Sequence, residues 1–175
     1  IDVAHHLPGV GGNLQDHLQI RAIYQVSNTV TLNERANSLF GRARIALEYA
    51  LNRSGPMSMA PSQLGVFTKS DPALDTPDLQ YHVQPLSLDA FGQPLHDLPA
   101  ITASVCNLRP ESRGSVTIRS ADPADKPHIR PNYLSTAGDR LVAANSLRLT
   151  RRIMAQAALA PFAPQEYLPG TEFSS

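Results

Sequence analysis

Proline does most to limit what this chain can fold into. Fifteen of its residues are proline, beside ten glycines and no tryptophan. Proline lacks the backbone donor that a central strand needs, and it breaks the interior of a helix. The middle of the chain is punctuated by these residues and therefore reads as short strands. Residues 63–69 and 78–86 are two of them, separated by the turn-rich stretches 70–72 and 75–77. Residues 89–99, with Asp89, Phe91 and Gly92, form a loop. Residues 100–108 and 115–119 are expected to pair as a hairpin across 109–114, where Gly114 supplies the turn. His128, Ile129 and Arg130 lie between Pro127 and Pro131, which confines them to a very short edge strand.

Regular periods flank this region. Leu18, Ile20, Ala22, Tyr24 and Val26 alternate with Gln19, Arg21, Ile23, Gln25 and Ser27, the period of two of a half-buried strand. Ala36, Leu39, Phe40, Ala43, Ala46, Leu47, Ala50 and Leu51 recur at helical spacing, with Thr31 or Asn33 as cap and Ser54-Gly55-Pro56 as stop. A second helix is expected over residues 139–160, with Ala143, Leu147, Met154, Ala157 and Ala158 on one side. The order predicts an α+β fold: one domain over residues 1–175, with an antiparallel sheet of five to six strands and helices packed on one face.

Several functions are set aside by the residues themselves. Fifteen Lys plus Arg balance fifteen Asp plus Glu, so no long-range field gathers nucleic acid. One cysteine, Cys106, excludes an internal disulfide framework, and its mid-strand position reads as a small core residue. Six histidines show no ligand spacing, so no metal is expected. Gly9-Val10-Gly11-Gly12 precedes a strand, whereas a phosphate cradle precedes a helix. No serine elbow is present. No apolar run approaches the roughly 20 residues of a membrane span. Ile1-Asp2-Val3-Ala4 lacks the pattern of a signal peptide, and a cytoplasmic location is expected. That opening also leads us to expect a chain that begins inside a longer protein.

One strand has a chemically interesting face. Leu79, Tyr81 and Val83 alternate with Gln80, His82 and Gln84, and the polar row either faces water or lines a site. Gln63, Gly65 and Phe67 share a face of the preceding strand. If the two faces coincide, they make a polar and aromatic wall for a small alcohol or other polar organic ligand.

Four stretches in order resemble one family, the glucose–methanol–choline (GMC) flavin oxidoreductases. The segment from Pro8 to His17 is similar to the passage from the FAD domain into the substrate domain. The segment from Leu108 to Val116, then Arg119 to Pro123 and Pro131 to Leu134, resembles a later substrate-domain stretch. Asp78 to His82 and Arg151-Arg152-Ile153-Met154 are similar to the choline-dehydrogenase-like branch. The resemblance implies an FAD-dependent alcohol dehydrogenase or oxidase, in which a histidine base takes the alcohol proton while hydride passes to the flavin. It also implies that the FAD-binding glycines and the catalytic histidine lie outside this chain at either end. The chain is then a substrate-binding fragment, inactive alone, partnered by the missing FAD-binding domain and prone to self-association. The resemblance implies His82 and Gln63 as substrate-binding residues, to which the two strand faces add Gln84 and Phe67; the implied cofactor-side residues are Asn13, Asp16 and His17. Gln63 falls where choline-oxidising members place a glutamate, and a neutral amide does not supply that charge. The alternative is a self-standing ligand-binding or interaction module derived from such a domain.

Overall fold

A computed structural model describes residues 5–60, 62–90, 92–170 and 172–173. The residues at 1–4 and Phe91, which figured in the reading above, lie outside the described residues. The elements are β1 (Gln19–Gln25), α1 (Leu32–Ala36), α2 (Leu39–Asn52), β2 (Leu64–Thr68), β3 (Leu79–Gln84), β4 (Ala100–Asn107), β5 (Ser115–Thr117), β6 (His128–Arg130), α3 (Ala137–Met154) and β7 (Gln165–Leu168). Short 3-10 turns follow α2 at Pro56–Ser58 and α3 at Ala157–Phe162.

Five strands make an antiparallel sheet in the order β2-β3-β4-β1-β7, and β5 and β6 pair separately. The α+β fold expected from the sequence is therefore present. Ala22 and Tyr24 of β1, Leu79 and Tyr81 of β3, and Ala103 and Val105 of β4 form the core with Met154 of α3. Each such side chain removed from water contributes about 1–3 kcal/mol. A polar clamp fixes the helix over the sheet. The buried Tyr81 hydroxyl donates to Ser146 O at 3.2 Å and lies 2.9 Å from Thr150 Oγ1. Burial pushes that phenol above its ordinary pKa.

Four local expectations are corrected. Residues 115–119 do not form a hairpin with β4. β5 pairs with β6 instead, because the intervening loop is drawn down onto α3 by Asp139. The first helix is broken at Asn37 and Ser38, and Ser38 caps α2 by accepting from Gly41 N at 2.9 Å. Gly41 is needed there, since a Cβ would meet Arg35 O at 1.9 Å. The second helix ends at Met154, with Pro161 carried in the 3-10 turn that follows. Residues 165–168, left unassigned by the sequence, form the edge strand β7.

α2 also turns its apolar stripe outward. Ile45 is its buried residue, while Leu39, Phe40, Leu47 and Leu51 are exposed. Among the described residues, no helix is long and apolar enough to cross a membrane.

Candidate functional site

Directly paired residues of antiparallel strands project from the same face. Gly65 lies opposite His82, His82 opposite Ser104, and Ser104 opposite Arg21. The next row is Phe67, Gln80, Cys106 and Gln19; on the other side Gln84, Thr102 and Ile23 are aligned. Gln63 joins this edge through its backbone N–H, which donates to Val83 O at 3.1 Å. The two strand faces that the sequence left unconnected thus coincide on the side of the sheet away from the core.

The groups of this face differ in how they are held. His82 is half-buried, and its ring makes no hydrogen bond to another described residue. Gln84 is buried; its Nε2 donates to Ser62 Oγ at 3.2 Å, and its Oε1 has no partner among the described residues. An unmatched buried acceptor is costly and calls for a donor. Gln63 is exposed, with Nε2 2.9 Å from Met59 Sδ, and Phe67 is 62% exposed. Cys106 is buried, and burial pushes its thiol above its ordinary pKa. That environment suits a core residue and opposes a thiolate nucleophile.

A clasp that sequence reasoning missed closes one end of the face. Asn33 is fully buried; its Nδ2 donates to His96 O at 2.8 Å and to Ser87 Oγ at 3.1 Å, and its Oδ1 accepts from Ser87 N at 2.8 Å. His96 lies between Ser87 Oγ and Asp89 Oδ1, each 3.0 Å away. A serine, histidine and aspartate in line resemble a nucleophilic triad, but Ser87 is 0% exposed and meets no substrate. The cluster instead pins the 85–97 loop, and Arg21 Nη1 reaches Asp89 O at 3.4 Å from the sheet. The available signal was a polar Asn inside the first turn of a helix, a place where it has to find partners.

The N-terminal turn is fastened to the later loop. Leu14 and Gly114 exchange backbone hydrogen bonds, Gln15 Nε2 donates to Pro110 O at 2.9 Å, and His17 Nε2 lies 3.3 Å from Leu108 O. Tyr133 donates its hydroxyl to Asp16, which holds that phenol above its ordinary pKa. Gly11, at φ +83°, packs so tightly that a Cβ would stand 2.0 Å from Val116 O. Its glycine character thus serves a joint within the chain. Asn13, at φ 60°, has an exposed side chain. The structure therefore brings Asn13, Asp16 and His17 together on one joint, apart from the strand row that carries His82.

Two carboxylates of the core side also escaped the sequence reading. Asp139, at the start of α3, accepts from Glu111 N at 2.9 Å, Ser112 N at 2.7 Å and the Ser112 hydroxyl. Burial alone would raise its pKa, but these hydrogen bonds prevail and hold it below the ordinary value. Glu166 of β7 is held low first by its hydrogen bonds from Arg151, against the opposing effect of burial.

An antiparallel sheet with a helix-covered core on one face and a polar face, open at one edge, on the other defines an α+β fold. Residues 110–174 match the family model described as GMC oxidoreductase. The oxygen-dependent choline dehydrogenase of Brucella ovis is 38% identical over 170 residues, 97% of this chain and 31% of that protein. The protein of the same name from Vibrio vulnificus is 40% identical over 166 residues, 95% of this chain and 30% of that protein. The crystal structure of pyridoxine 4-oxidase from Mesorbium loti matches with a TM-score of 0.71 and 25% identity, covering 95% of this chain and 29% of that one. A formate oxidase shares the fold with a TM-score of 0.80 at 22% identity, over 91% of this chain and 33% of that one. Residues 110–174 thus carry the GMC oxidoreductase family's pattern, and the whole chain is similar to these relatives. It spans about a third of the length of the curated relatives it matches.

Proposed function

We propose that this chain is the substrate-binding domain of an FAD-dependent oxidoreductase acting on a CH–OH group. The observation that carries this reading is the row Gly65, His82, Ser104 and Arg21, flanked by Phe67, Gln63 and Gln84 on the same face, which is open at Gly65, Gln63 and Phe67 and buried at Ser104 and Gln84. His82, whose ring makes no hydrogen bond to another described residue, holds the substrate hydroxyl. Gln84 accepts from a second donor at its buried Oε1, and Phe67 packs against carbon. The strand residues of this face include no carboxylate among those described, and Arg21 adds positive charge. With the neutral Gln63 at the rim, the face suits an alcohol without a trimethylammonium group.

The flavin, when bound, accepts the hydride released from the alcohol carbon. Asn13, with its exposed amide beside the joint, fits a polar contact to that cofactor. Asp16 and His17, engaged by Tyr133 and Leu108 O, fix the turn that presents it. FAD binding and turnover require the remaining part of the enzyme, and this chain alone is inactive.

The test is His82→Ala in the intact enzyme. Loss of the hydroxyl contact lowers kcat/KM for alcohol oxidation by about 100-fold with flavin content unchanged. Unchanged turnover in the variant, or a yellow, active preparation of the 175-residue chain alone, overturns the reading.

A further inference from the structure

We propose that Gly65 is a specificity-determining residue, whose missing side chain keeps open the space beside His82 that receives the carbon skeleton of the alcohol. The inference rests on the site proposed above and goes further, to what limits the size of its substrate.

A glycine within a strand weakens it, because it has no side chain to pack and loses more chain freedom on folding. Such a residue persists for an unusual backbone angle, for close approach of another chain segment, or for space. The first reason fails for Gly65, which lies in β2 and has no positive φ. The second fails within this chain: a Cβ built there would meet only Tyr81 O, at 3.9 Å, an ordinary contact. The contrast with Gly11 and Gly41 is sharp, since a Cβ at either would stand within 2.0 Å of a backbone oxygen. Within this chain, space is the reason that remains.

The position of that space is specific. Gly65 pairs with His82 on one side, and Ser104 pairs with His82 on the other. The imidazole therefore stands in a trough between the two small residues. Phe67 and Gln63, two positions away along the same face, rise on either side of the notch and are both exposed. A group bound at the His82 ring extends over Gly65 with an aromatic wall on one side and an amide on the other.

The test uses the intact, flavin-loaded enzyme and a series of primary alcohols from ethanol to 3,3-dimethylbutan-1-ol and benzyl alcohol, assayed with Gly65→Ala, Gly65→Val and His82→Ala. Filling the notch lowers kcat/KM progressively with side-chain size. For Gly65→Val the fall is at least about tenfold on the bulkiest substrate accepted and under about twofold on the smallest. The thermal midpoint of the holoenzyme stays level or rises, since valine is favoured in strands. An equal loss on every alcohol, or a lowered midpoint, shows that Gly65 serves packing and overturns the inference. A flat Gly65 series together with a collapsed His82→Ala enzyme overturns the inference alone and leaves the site standing. If wild type oxidises none of the alcohols, or His82→Ala matches wild type, the proposed site itself falls, and the inference with it.

Discussion

Arg151 holds Glu166 with two parallel hydrogen bonds, Nε to Oε2 and Nη2 to Oε1, both 2.8 Å long. The pair ties the last turn of α3 to the edge strand β7. The same guanidinium continues to Gly170 O at 3.2 Å and Phe173 O at 3.3 Å, so one side chain fastens the strand and the segment after it. The Glu166 side chain is 7% exposed, which sets this pair apart from a solvated surface bridge.

Arg151→Lys therefore is not a conservative change, because an ammonium does not reproduce the planar fork. Losing the two-pronged contact costs about 2–3 kcal/mol. Urea unfolding of the purified chain, followed by circular dichroism, is expected to show a lower midpoint with an unchanged slope. A variant within experimental error of wild type would show that β7 is held by its backbone bonds alone.

The carboxylates give stability a defined acid limb. Glu166 and Asp139 are both depressed below their ordinary values of 4.5 and 3.8. Their contribution is thus fully present above those values and is lost as pH falls through the lower folded-state pKa. The alkaline limb has the opposite origin. Tyr24 is pushed up to about 12 from 10.0, first by burial and then by the charge of Glu166. Its contribution is present below pH 10 and is lost as pH rises toward 12. Unfolding midpoints across pH are expected to fall at both ends. Asp139→Asn flattens the acid limb and Tyr24→Phe the alkaline one; limbs unaltered by these variants would contradict the assignment.

The elements with strong local periods were legible in the sequence. Alternation located β1 and β3, the turn-forming residues on either side located β4, and helical spacing located α2 and α3. The polar row of Gln80, His82 and Gln84 was legible as a row but not as a site. Whether it joins Gln63, Gly65 and Phe67 depends on a register between strands, and nothing local specifies it. The pairing of β5 with β6 was illegible for a related reason: Asp139, far along the chain, decides where the 109–114 loop goes. β7 failed to register because it is four residues long and secured by Arg151. The outward apolar stripe of α2 looked from sequence like any core-facing helix, since periodicity shows a stripe and not what covers it.

Asn33 offers a sharper test of the clasp over the sheet. Its amide both donates and accepts within a fully buried cluster, and removing it leaves Ser87 N without its partner and His96 O with only the longer bond from Asn37 Nδ2, at 3.3 Å. Asn33→Ala is expected to lower stability by about 2–3 kcal/mol. Hydrogen exchange at the 85–97 backbone should accelerate more than that at β4. Uniform acceleration over the whole chain would mean that the clasp is no separate unit.

Cys106 provides a probe of the same sheet that needs no substitution. The thiol is 2% exposed and its pKa is raised by burial, so both access and thiolate fraction are low. A thiol reagent is expected to label the native chain only as fast as the sheet opens, and the denatured chain at once. Immediate labelling of the native chain would contradict the packing of Cys106 between Gln80 and Gln19.

The apolar flank of α2 argues for association of the isolated chain. Leu39, Phe40 and Leu51 are 84%, 80% and 72% exposed, and their helical spacing aligns them with Leu47 on one stripe. Scattered apolar residues are ordinary on a surface, but a contiguous stripe is an adhesive patch. The purified chain is expected to bind a hydrophobic dye and to sediment as a mass that grows with concentration. Replacing Phe40 by Asp and Leu51 by Lys breaks the stripe, leaving Leu39 and Leu47, without touching the buried Ile45, so both signals should fall while the helical circular dichroism is retained. A wild-type chain that stays monomeric at high concentration and leaves the dye dark would show that the stripe is too small to hold a second copy.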